Sequence, residues 1–111
     1  MRYQLTGILG TVDRPREFAA LVESWENYVG TPLLVIDQSE EGYASRHPGH
    51  RVVKGDYLMG APSAYRAVLE LVDTPYFTVL EDDFQATPDT HYDALVDHMD
   101  LGFDFVGGAL L

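Results

Sequence analysis

A chain of 111 residues with 46% hydrophobic content can bury one core but is short for two ordinary domains, so residues 1–111 are read as a single domain. Its formal charge of -11, from 18 acidic and 7 basic side chains, repels polyanions at long range and argues against a nucleic-acid partner. The chain has no cysteine, which excludes disulfides and thiolate metal sites. It also has no apolar stretch near the roughly 18 residues of a membrane span, and no long apolar run at its start. A soluble, cytoplasmic protein is the expectation.

The first element is the mostly apolar run Leu5-Thr6-Gly7-Ile8-Leu9-Gly10, a strand that leads through Thr11 and Asp13 to Pro15. Proline suits a first helical position, and the Asp13 carboxylate is placed to cap the open backbone N–H groups behind it. Phe18, Leu21, Val22, Trp25 and Val29 then recur at three- and four-residue steps, the period of one helical face, until Gly30 and Pro32 stop it.

Leu33-Leu34-Val35-Ile36 is a short continuous apolar run of the kind buried on both faces of a parallel sheet, and it delivers Asp37 at its carboxyl end. Residues 38–50, with Gly42, Pro48 and Gly49 among acids and two histidines, read as a loop; His47 and His50 are taken there as a solvated turn rather than a metal pair. Arg51-Val52-Val53-Lys54 predicts a weaker strand.

A second amphipathic helix is predicted from Pro62 to Val72, with Ala61, Tyr65, Val68, Leu69 and Val72 at helical spacing. Asp73-Thr74-Pro75 breaks it before Tyr76-Phe77-Thr78-Val79-Leu80, the strongest strand signal in the chain. Thr87-Pro88 is expected to open a third helix, and Phe103-Asp104-Phe105-Val106 a last strand. Strands alternating with helices at this spacing predict an α/β fold, a Rossmann-like, mostly parallel sheet flanked by helices.

In such a sheet ligands collect outside the carboxyl ends of the strands, where Thr11, Asp37 and Glu81-Asp82-Asp83 all fall. Three consecutive carboxylates at the end of an apolar strand repel one another under weak screening. A hard divalent cation, Mn²⁺ or Mg²⁺, offsets that repulsion and accepts one or two protein carboxylates while phosphate and water complete its shell. The bland alternative is an acidic turn facing water. Arg14 and Arg16, at the start of the first helix, are either phosphate-facing or simply exposed.

The segments Thr11-Val12-Asp13-Arg14-Pro15, Leu34-Val35-Ile36-Asp37-Gln38-Ser39, Gly60 to Arg66 and Phe77-Thr78-Val79-Leu80-Glu81-Asp82-Asp83 stand in an order and spacing that resembles the donor-binding half of family 2-like GT-A glycosyltransferases. The resemblance implies that Thr11, Asp13 and Asp37 border the base and ribose of a nucleoside diphosphate sugar, a UDP-sugar favoured. It implies further that Arg66 lies near the donor phosphates, Asp83 touches the metal directly, Asp82 sits close to the ribose, and Glu81 acts through water or a hydrogen bond. The departures are Ala67, where the family has an asparagine after the arginine, a first turn without the usual base-stacking aromatic, and no residue that matches the family's general base. The resemblance therefore implies donor binding, with sugar transfer to an acceptor hydroxyl in a complete enzyme. A non-catalytic donor-binding or assembly module is the alternative. A sugar nucleotidyltransferase, from Gly7-Ile8-Leu9-Gly10-Thr11 read as a glycine-rich loop, is another, and a homo-oligomer is expected.

Overall fold

A computed structural model describes residues 5–47, 49–56, 61–90 and 92–100. Its elements run β1 (Leu5–Thr11), α1 (Pro15–Tyr28), β2 (Leu33–Asp37), β3 (Arg51–Lys54), α2 (Ala61–Leu69), β4 (Tyr76–Val79) and α3 (Tyr92–Asp100). The four strands form one sheet in the order β3-β2-β1-β4, and every pairing is parallel. This is the α/β, Rossmann-like arrangement that the alternating pattern predicts. The strand expected at 103–106 lies outside the described residues.

Parallel pairing leaves both faces of β1 and β2 to be covered, which is why these strands read as continuous apolar runs and why β2 is buried throughout. Alternate residues serve opposite layers. Leu5, Leu9, Leu33 and Val35 pack with Phe18, Leu21, Val22 and Trp25 of α1, whereas Ile8, Leu34 and Ile36 pack with Val68 of α2. Tyr92 at the start of α3 joins the α1 layer, its ring centroid 5.4 Å from that of Trp25. Gly7 is needed where the layers meet: a Cβ there would lie 2.8 Å from Leu33 Cδ2 and 3.0 Å from Trp25 Cζ2. Residues 7 to 11 are thus strand, with a glycine chosen for close packing, and form no phosphate-cradling loop.

Four local expectations are corrected. Arg14, not Asp13, occupies the N-cap of α1, without a side-chain cap bond; Asp13 instead takes a positive φ of 54°. The 38–50 loop contains a short 3₁₀ turn at Tyr43–Arg46 whose Tyr43 and Ala44 are buried. α2 ends at Leu69 in tight turns, Leu71 N–H to the Val68 carbonyl at 2.9 Å and Val72 N–H to that of Leu69 at 3.3 Å, and Leu69 itself is exposed. The chain tightens there because it must reverse into β4 within a few residues. Finally, the Thr87-Pro88 segment makes a separate turn before α3, with Thr87 Oγ accepting from Asp89 N–H, the local side-chain bond by which threonine competes with a helix. β4, the strongest strand signal, is only half-covered, with Phe77 and Val79 exposed. Among the described residues, no helix is long and apolar enough to cross a membrane.

Candidate functional site

Because all four strands point the same way, Thr11, Asp37, Lys54 and the residues after Val79 emerge at one end of the sheet. The chain builds β1, β2 and β3 outward in one direction and then places β4 on the other side of β1. The gap between β1 and β4 is therefore a topological switch point, where successive connections diverge and leave a crevice at the carboxyl ends. Glu81-Asp82-Asp83 follows β4 directly at that point.

The acidic turn is fixed from both sides. Before it, Leu80 is buried, donates its N–H to the Ile8 carbonyl at 2.8 Å and accepts from the Tyr65 hydroxyl at 2.8 Å. Within it, Phe84 N–H closes a turn onto the Glu81 carbonyl at 3.0 Å. Behind it, Phe84 packs on Trp25, and Ala86 N–H donates to Ser24 Oγ at 2.9 Å, a hydroxyl carried by α1. Apolar anchors at Leu80, Phe84 and Ala86 thus hold three carboxylates on a rigid base.

Of the three, Asp82 turns inward and is buried, while Glu81 and Asp83 are exposed. Thr11 Oγ donates to Asp82 Oδ2 at 3.2 Å. The single Thr11 hydroxyl hydrogen being used, the 2.7 Å contact with Tyr43 is one in which the phenol donates, and the phenol oxygen in turn accepts from Arg14 N–H at 3.0 Å. A directed chain of hydrogen bonds results, from Arg14 N–H through Tyr43 and Thr11 to Asp82, each bond polarising the next. The positive φ of Asp13, a residue that tolerates this region, turns the backbone at the start of that chain.

The Arg14 side chain comes back to the same place. Its Nη1 lies 3.3 Å from Asp82 Oδ1 and its Nη2 3.9 Å from Asp83 Oδ2, so one guanidinium bridges two adjacent carboxylates. Burial nevertheless raises the Asp82 pKa above its ordinary value of 3.8; the Thr11 bond and the Arg14 charge oppose that rise, and the Asp83 charge adds to it. The Tyr43 and Tyr65 phenols are also raised, each chiefly by burial, with neighbouring carboxylates adding to the effect. For Tyr65 those charges are Glu81 and Asp82.

The remaining expected residues are distributed unevenly around this cluster. Asp37 is buried and fully engaged: Oδ1 accepts from Ser39 N–H at 2.8 Å and from Ser39 Oγ at 2.5 Å, and Oδ2 from Ala44 N–H at 3.0 Å. It shapes the 38–44 loop, and through that loop seats Tyr43. The Lys54 ammonium, from the end of β3, donates to the Ser39 carbonyl of the same loop. Arg66 sits exposed in the last turn of α2, one residue after Tyr65, and is not drawn into the Arg14–Asp82–Asp83 cluster. Asp13 is exposed at the head of α1.

Tyr43 lies in a segment without periodicity and is not singled out by sequence, and sequence leaves Arg14 between a phosphate-facing and an exposed role; the fold brings both to the acidic turn. His50 is also reassigned. Its Nδ1 accepts from Leu33 N–H at 3.1 Å and its Nε2 lies 2.7 Å from Glu26, so it joins β2 to α1 at the far end of the sheet, while His47 packs edge-on against Phe18.

The donor set at the acidic turn fits a hard cation in its chemistry, all oxygen, with two carboxylates already sharing one positive group. Among the described residues, no three His, Cys, Asp or Glu side chains converge as a group that could hold a metal ion. No protein-family model matches the chain, and no curated protein matches it.

Proposed function

We propose that this chain binds a nucleoside diphosphate sugar, a UDP-sugar in the first instance, through Mn²⁺ or Mg²⁺ at Glu81-Asp82-Asp83. We propose further that it serves as the donor-binding half of a GT-A type glycosyltransferase. The observation that carries this reading is the placement of the acidic turn at the switch point between β1 and β4, rigidly anchored and coupled through Thr11 to the central strand. The motif order supports it: the ends of β1 and β2, then α2, then the turn after β4 follow the order of the donor site in that family.

In this reading Asp83, exposed beside Asp82, offers its carboxylate to the metal, and the exposed Glu81 assists through water or a hydrogen bond. Asp82 keeps one oxygen on Thr11 and presents the other toward the ligand side, where the ribose would lie. Asp37 contributes by fixing the loop that carries Tyr43, and Thr11 by orienting Asp82. Arg66 would meet the donor from the exposed face of α2. The cation, when bound, supplies positive charge that stabilises the departing diphosphate. Self-association belongs to the same proposal, supported by the apolar side chains exposed on β4, and so does cytoplasmic residence.

The test is titration calorimetry of UDP in Mn²⁺ and in EDTA, with wild type and Asp83→Ala. Binding is expected only with Mn²⁺ and weaker by about tenfold or more in the variant, the cost of removing a charged ligand. Binding that is indifferent to EDTA, or absent altogether, would overturn the proposal. A donor-hydrolysis assay then separates turnover from binding alone.

A further inference from the structure

The Arg14 guanidinium stands where a cation would be needed. Asp82 and Asp83 share one guanidinium, so the pair of carboxylates is incompletely neutralised. The two contacts, 3.3 Å and 3.9 Å, are longer than the roughly 2.7–2.9 Å of a fitted charge-assisted bond. The side chain is 47% exposed, while its backbone is pinned by the Tyr43 phenol on one side and by Phe18 N–H on the other. A fixed backbone, a loose ion pair and a long solvated side chain together describe an arm that can change partners without disturbing the fold.

We infer that Arg14 is the resident counter-ion of the acidic turn and exchanges partners on ligand entry, releasing Asp82 and Asp83 to the divalent cation and taking up a diphosphate oxygen. The inference rests on the function proposed above. A guanidinium and a divalent cation cannot both lie against the same carboxylate oxygens, because their like charges repel. Cation alone must displace Arg14 with nothing to receive it. Cation arriving with diphosphate supplies a phosphate that the planar guanidinium fork fits better than it fits two diverging carboxylates. Metal and nucleotide therefore bind with positive coupling, and linkage makes the coupling the same in both directions.

The experiment measures two affinities on wild type, Arg14→Gln and Arg14→Lys: Mn²⁺ alone, from the paramagnetic resonance of the free ion, and UDP at saturating Mn²⁺, by calorimetry. Arg14→Gln removes the competing charge, so Mn²⁺ alone binds about three- to fivefold tighter, the scale of a half-exposed ion pair. UDP in Mn²⁺ binds about tenfold weaker, for want of the charged contact. Arg14→Lys keeps the charge without the fork, so Mn²⁺ alone is nearly unchanged and UDP binding is reduced. Affinities that fall together in Arg14→Gln, or that do not move, overturn the exchange while leaving the metal–nucleotide site standing in the wild type. If wild type binds no UDP with Mn²⁺, the functional proposal itself fails, and the exchange with it. Circular dichroism melts confirm that both variants fold, as an exposed side chain allows.

Discussion

The two ends of the sheet bury polar groups to opposite purposes. At the amino end most meet a partner within the chain: Trp25 Nε1 donates to the Thr31 carbonyl at 2.6 Å, His50 receives Leu33 N–H, and Thr6 and Thr74 share a hydrogen bond of 2.7 Å, while the Thr31 hydroxyl is buried without a partner among the described residues. These bonds close that end and leave little for a ligand. At the carboxyl end the chain through Tyr43 and Thr11 stops on Asp82, a carboxylate that burial disfavours and that the half-exposed Arg14 faces at 3.3 Å. The amino end joins neutral groups and a histidine, whereas the carboxyl end keeps a buried carboxylate beside a half-exposed guanidinium, the kind of contrast from which the proposed site is argued.

The largest effect that tests this contrast belongs to the closed end. Trp25 is fully buried, contacts Phe84 and Tyr92, and lies within reach of any Cβ added at Gly7. Trp25→Ala should cost about 4 kcal/mol in a urea or thermal melt, from lost burial and the cavity left behind. The Thr31 carbonyl also loses its donor. A loss below about 1.5 kcal/mol, the size of a tolerated volume-conserving swap, would show that the amino end is not the stabilising one.

Asp37 sharpens the comparison because it lies at the carboxyl end yet behaves like the amino end, with both oxygens engaged inside the chain. Asp37→Ala leaves Ser39 N–H and Ala44 N–H without acceptors and should cost about 3 kcal/mol. It should also loosen the loop that seats Tyr43, so amide exchange at residues 39–46 should accelerate more than in β1. A variant that keeps full stability but loses nucleotide binding would instead assign Asp37 to the ligand.

The sequence made the scaffold readable because periodicity reports burial. The double-faced run of β2 and the helical stripe of α1 each have one physical solution, and the parallel sheet follows from their alternation. The acidic turn was readable for the same reason, since carboxylates closing an apolar strand are costly wherever they occur. The place of Tyr43 and Arg14 beside it was not. Their partners lie 29 to 68 positions away, and a buried phenol in an aperiodic loop has no local signal. Asp37 was legible as a strand-end carboxylate but not in its orientation, which the Ser39 and Ala44 bonds decide. Asp13 was misplaced by one residue as a helix cap, because the positive φ that shifts the cap to Arg14 leaves no mark in composition.

The smallest expected effect is the most diagnostic, because its sign reverses between stability and function. The folded-state pKa of Asp82 lies above its unfolded value of 3.8, with burial the leading cause. The protonated folded form is thus relatively stabilised below 3.8, and that contribution is lost as pH rises through the folded pKa, where the native state must ionise a buried group. Asp82→Asn carries no such loss. At neutral pH the variant should be more stable than wild type, by on the order of 0.5 kcal/mol, and the advantage should vanish as pH falls toward 3.8. The Asn amide oxygen can still accept from Thr11, so the hydrogen-bonded chain keeps its end. Mn²⁺-dependent UDP binding should weaken in the same variant, since the charge whose burial outweighs its Thr11 and Arg14 contacts is the charge the proposed ligand requires. Paired melts at pH 7 and at pH 3.5 measure the first effect, and calorimetry the second. An Asn variant less stable than wild type at neutral pH would mean that the Thr11 and Arg14 contacts outweigh the burial of the charge, and that the carboxyl end is built for stability as the amino end is.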